Sequence, residues 1–241
     1  MTSLKHRAYV GAGGSFGSSQ MWFPAQGSAL RADGCGAVAA ADTLAYLAAS
    51  GALGGRAGAQ GFESGREAAM ARVVEADRTV ARVRHVLGVT GTAIARGLRR
   101  RFRALGAPFT ARWYCPRDTA SLRAAAESML ARDIPAILSI PPRPWGNEAL
   151  WLYPSADDAK ARRRAGAEEF RGRFGHYVTA TACEDTAAEI SSWGRRYYLR
   201  WDEYAALRRT LFGRITGGLV RISPAAPETG GRRAGPQDPR A

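Results

Sequence analysis

The chain is poor in the residues that staple, anchor or coordinate. Of its 241 residues only three are cysteines, Cys35, Cys115 and Cys183. Three thiols cannot all pair, and their spacing fits no metal site, so a disulfide framework is excluded and free thiols in a reducing compartment are expected. Histidine is equally scarce, with His6, His85 and His176 the three examples, which leaves few candidates for imidazole chemistry. Long apolar runs are missing too. The most apolar stretch is mostly alanine and is broken by Asp42, and the opening MTSLKHRAYV has no apolar core of a signal peptide. A cytoplasmic protein without membrane contact is expected.

Acidic residues are also in deficit: 21 against 35 basic ones, a net charge of +14. Such a balance makes anionic partners conceivable. The arginines are scattered along the chain, however, with tight runs only at Arg99–Arg101 and Arg162–Arg164, and no nucleic-acid-binding motif accompanies them. Nucleic acid is therefore not an expected partner.

What is present reads as helices first and strands later. A Gly/Ser stretch, GAGGSFGSS at 11–19, precedes the short apolar piece QMWF, ended by Pro24. The pattern predicts a helix from Cys35 to Ala49, stopped by Gly51, then helices over about 66–86 and 91–105. FTARWYC after Pro108 alternates like a strand, 119–132 reads as a helix capped by Thr119, and IPAILSI at 134–140 as a buried strand. Residues 141–172 read as an irregular Arg-rich insertion suited to flank a cleft and favour acidic substrates. GHYVTATAC and AEISSWGRRYYLRW are taken as one strand each. A helix over Asp202–Leu211 follows, and RITGGLVRIS closes the sheet. The expected fold class is α+β, with a flexible segment at 1–19, one domain over 20–223 and a disordered tail at 224–241.

One stretch stands apart from this scaffold. In RADGCGAVAAADTLAYL, residues 31–47, a cysteine sits between two glycines where a polar loop meets a helix. A thiol at the first turn of a helix feels the partial positive charge of unpaired N–H groups, which favours the thiolate. Such a nucleophile needs an imidazole to accept its proton and a third group to orient that ring. His176 opens an alternating strand directly after Gly175. It lies 141 residues downstream of Cys35, within the interval of about 130–150 residues seen between a papain-type Cys and its His. His6 falls at the frayed terminus and His85 in a charged helix. The next strand carries ISSWG, Ile190–Gly194.

Cysteine at a helix start, histidine at a strand start and Ser-Trp-Gly in the following strand, in that order, resemble the papain-like cysteine peptidases. The DGCG context is most similar to the bacteriocin-leader peptidase branch. The resemblance implies a papain-like fold, with the Cys helix packed on an antiparallel sheet. Cys35 would be nucleophile, His176 general base and acid, and Trp193 a shield over the imidazole, with Gly36 and Gly175 at the binding cleft. Ser191 falls where the family has its orienting Asn. Asp185 is the nearest aspartate after His176 but falls in CEDTA, which reads as a turn. Gln20 is preferred over Gln26 as oxyanion donor beside the Cys35 amide. A peptide or protein substrate is implied, with no metal and no cofactor; the alternative is a papain-like fold that binds without turnover. Cys115 and Cys183 are expected as buried strand residues.

Overall fold

The computed structural model describes residues 1–5, 14–26, 28–54, 65–83, 88–142, 149–172 and 175–225. His6, His85 and the tail beyond 225 lie outside them. The chain opens with β1 (Thr2–Ser3), which pairs antiparallel with the later strand carrying Cys183. Leu4, Phe16, Ser18 and Ser19 are buried. The described parts of 1–19 thus pack into the domain, against the expectation of a flexible segment. A single 3-10 turn over Gln20–Trp22, capped by the Ser19 hydroxyl, leads to α1 (Ala29–Asp33) and α2 (Cys35–Ala49).

The bounds of α2 are those its sequence predicts. Its alanines, good helix formers with no side-chain entropy to lose, lie buried at 37 and 39–41 with Tyr46 and Leu47. α3 (Arg66–Ala76) runs into a π-helical turn, Asp77–Ala81, and α4 (Gly91–Ala104) starts from the Thr90 cap. β2 (Phe109–Tyr114) follows, then α5 (Thr119–Leu130), whose cap is Asp118 and not Thr119: the carboxylate accepts the Ser121 N–H at 2.6 Å.

After β3 (Ala136–Ile140) the supposedly irregular insertion holds β4 (Trp151–Tyr153), α6 (Ala156–Ala161) and β5 (Glu168–Glu169). The Arg162–Arg164 run is engaged within the domain: Arg162 bonds Asp202, Arg163 bonds Asp158, and Arg164 lies over the Trp151 ring. They do not form a free basic rim.

β6 (His176–Cys183) is followed by a hairpin, β7 (Ala187–Ser192) and β8 (Arg195–Arg200), where one continuous strand was expected. α7 (Trp201–Leu207), α8 (Leu211–Thr216) and β9 (Leu219–Pro224) complete the described chain. The strands form one antiparallel sheet in the order β2-β9-β3-β6-β7-β8-β4-β5. The last strand thus enters between β2 and β3 rather than adding to an edge. β3 is buried at all five positions, so both faces of the sheet are covered: α2, α3 and α4 form one group of helices, α5 and α7 the other. The architecture is α+β, with helices around a large antiparallel sheet. Among the described residues no helix is long and apolar enough to cross a membrane.

Candidate active site

The two glycines around Cys35 have packing reasons. At Gly34, between α1 and α2, a Cβ would stand 2.1 Å from the Leu30 carbonyl oxygen. At Gly36 it would stand 2.4 Å from Val89 Cγ1 and 2.9 Å from Ile94 Cδ1. Any larger residue at either position would push the first turn of α2 away from its neighbours. Gly175, with φ of +81°, turns the chain into β6 beside the Ile140 carbonyl. The structure thus accounts for Gly36 and Gly175 as supports of the neighbouring Cys35 and His176.

His176 is the first residue of β6 and is buried. Its ring stacks with two aromatics: Trp193 at 4.7 Å between centroids and 19° between planes, and Phe170 at 5.9 Å and 29°. Trp193 and Gly194 are the two central residues of the β7–β8 turn, with φ of 51° and 76°, the signs a type I′ hairpin demands. Glycine meets that demand freely. Tryptophan pays roughly 1 kcal/mol or more of backbone strain, and its stack on the imidazole offsets part of that. Phe170, the second aromatic against the ring, follows β5 in the segment expected to be irregular.

The orienting hydroxyl is Ser192, not Ser191. Ser192 Oγ lies 2.7 Å from His176 Nε2, whereas Ser191 Oγ donates to the Phe16 carbonyl at 2.7 Å. Register explains the difference. Ser191 stands opposite Thr179, and side chains alternate between faces. Ser192 therefore shares the face of Val178 and His176, and Ser191 the face of Thr179. Asp185, also weighed for this role, is exposed in a turn and faces Arg123.

Ser191 belongs to a second device that sequence reasoning missed. Together with Asp42, it holds the segment leading into Gln20. Asp42 is buried seven residues along α2 from Cys35, on the same face, and its Oδ2 accepts the Ser18 N–H at 2.8 Å. The Phe16 N–H donates to the Gly194 carbonyl at 2.8 Å, and Arg196 covers the Phe16 ring at 4.3 Å. Thus the hairpin that shields His176 also grips the loop before Gln20. Gln20 Nε2 donates to the Arg31 carbonyl at 3.0 Å, and the side chain lines the same cleft as Cys35. Gln26 does not line it. A carboxylate inside an apolar helix was the one available signal for Asp42.

Cys35, His176, Gln20, Asp42, Ser192 and Trp193 share one cleft, whose volume of about 10 Å³ holds about one water. Burial dominates its electrostatics. It pushes the Cys35 thiol above its ordinary 9.0, opposed by nearby backbone N–H groups and aided by the Asp33 carboxylate. It pushes His176 down from 6.5 to about 4. Both shifts favour a neutral thiol and a neutral imidazole, against the low-pKa thiolate expected of a helix start. Among the described residues no hydrogen bond joins Cys35 Sγ to the ring.

Of the other thiols, Cys183 is buried at the end of β6, as expected. Cys115 lies just past β2, half-buried against the carbonyls of Arg214 and Gly217, outside the strand where it was expected. Comparison with known proteins found no matching family model, no similar curated protein and no similar solved structure.

Proposed function

We propose that the chain is a papain-like cysteine hydrolase or acyl transferase acting on a peptide or amide bond. One observation carries this reading: Cys35, His176, Gln20 and Trp193, spread over 174 residues of sequence, line a single cleft. On this reading His176 takes the Cys35 proton as Sγ attacks the substrate carbonyl, forming the S–C bond. The Cys35 backbone N–H and the free N–H of the Gln20 amide hold the oxyanion. Collapse breaks the C–N bond, and His176 returns the proton to the leaving amine. Water then attacks the acyl-enzyme, or a second nucleophile does so in an acyl transfer. Ser192 keeps the imidazole in one orientation and Trp193 with Phe170 keeps water from it.

The test is digestion of a complex peptide library by wild type, Cys35→Ala and His176→Ala, with cleavage sites read by mass spectrometry. Cleavage or transpeptidation that disappears in both variants is expected. Its absence from the wild type overturns the reading. That result would favour the alternative supported by the small cleft and neutral pair, a papain-like fold used for binding alone.

A further inference from the structure

We propose that α8 is a contact surface for anionic lipid, by which the domain rests on a membrane without entering it. Leu211, Phe212 and Ile215 are 75%, 60% and 61% exposed, and all three lie on a helix of six residues. Side chains lining a groove would be half-covered by its walls. At these exposures they protrude, the shape that inserts between lipid headgroups rather than one that receives a peptide. Arg209 precedes the trio and Arg214 lies between Phe212 and Ile215, both exposed.

A second cationic feature ends at the same place. Arg112 on edge strand β2 stands directly opposite Arg221 on β9, a like-charge pairing that weakens a sheet unless an anion lies near. Both guanidinium groups lie over the Tyr114 ring, at 6.0 and 5.6 Å. Among the described residues neither is in an ion pair. Cys115, next along from Tyr114, packs against the Arg214 and Gly217 carbonyls, which brings the arginine strip to the last turn of α8. The nearby Asp118 carboxylate is occupied in capping α5.

The other occupants fit less well. A second copy would bring a chain of charge +14 against its like. Residues 226–241 carry no leucine, isoleucine, valine or aromatic residue to cover the trio. Apolar side chains that insert a few ångströms, ringed by arginine, are what an interfacial contact with anionic lipid requires. The sequence reading set membranes aside because nothing spans a bilayer, but a surface contact needs no span.

The experiment is cosedimentation of the full chain with phosphatidylcholine vesicles and with vesicles containing equal parts of phosphatidylglycerol. Wild type should bind the anionic vesicles and not the neutral ones, and binding should fall as salt rises. Leu211→Ser/Phe212→Ser/Ile215→Ser should reduce the partition coefficient at least about tenfold, and Arg209→Gln/Arg214→Gln should reduce it severalfold, with thermal midpoints unchanged because these side chains are exposed. Failure of the wild type to bind overturns the proposal. So does equal binding by the triple-serine variant, which would mean diffuse charge attraction alone, or a concentration-dependent dimer that the same variant abolishes. None of these readouts depends on Cys35 chemistry.

Discussion

Burial of His176 has a consequence for stability at acid pH. The imidazole titrates near 6.5 when free and at about 4 in the fold. The unfolded chain thus binds a proton across this window that the folded chain refuses, so this contribution is fully present above pH 6.5 and is lost as pH falls toward 4. Each pH unit inside the window costs about 1.4 kcal/mol. At pH 4.5 the loss from this one group is about 2.5 kcal/mol relative to pH 7. Urea unfolding at both pH values, for wild type and His176→Gln, isolates it. Carboxylates titrate in both proteins and cancel, so the wild type should lose about 2.5 kcal/mol more than the variant between pH 7 and pH 4.5. Equal losses would refute the reasoning, because they would mean that the ring against Trp193 and Phe170 is as well solvated as a free one.

The same desolvation predicts that the iodoacetamide alkylation rate of Cys35 keeps rising through pH 9, since its thiol lies above 9.0. A plateau below pH 8, located on Cys35 by mass spectrometry, would show that the buried neutral pair is not the resting state. Ser192→Ala should destabilise the fold by about 1–3 kcal/mol by orphaning a buried imidazole nitrogen and should lower any Cys35-dependent turnover, with an altered pH profile. Ser191→Ala should cost about 1 kcal/mol and leave that pH profile unchanged, because its hydroxyl bonds Phe16 rather than His176. Asp42→Asn weakens the charged acceptor of the Ser18 N–H, and hydrogen exchange at that amide should accelerate several-fold. Unchanged exchange would remove Asp42 from the support of the Gln20 loop.

Local chemistry was legible in the sequence and long-range placement was not. The span of α2 followed from its alanines and Gly51, and order and spacing pointed to Cys35 and His176, which line one cleft. The hairpin at Trp193–Gly194 was read as one strand because tryptophan is absent from the usual vocabulary of left-handed turn positions. Its ring stacks on His176 from that position. Ser191 and Ser192 cannot be told apart by adjacency, since one residue of register moves a side chain to the opposite face, and only the pairing of Ser191 with Thr179 decides between them. β4 and β5 have three and two residues, too few for an alternating pattern to show. The entry of β9 between β2 and β3 leaves no local trace at all.

The neutral pair also bears on why a serine stands beside the imidazole. Burial raises the Cys35 thiol and lowers His176, so in this cleft it opposes moving the proton from one to the other. In water the same transfer is easier, because both charged products are solvated. A charged imidazolium calls for an amide or carboxylate acceptor, whereas a neutral ring needs only to be kept from turning, and a hydroxyl at 2.7 Å does that. Ser192 therefore matches the resting state better than it matches a standing ion pair. On the proposed reading, the thiolate forms only when substrate enters, because an entering carbonyl brings both the developing oxyanion and the opening of a cleft that now holds about one water. On that reading, Cys35 stays slow toward iodoacetamide yet is acylated rapidly by a peptide substrate; slow acylation by every peptide would sink it.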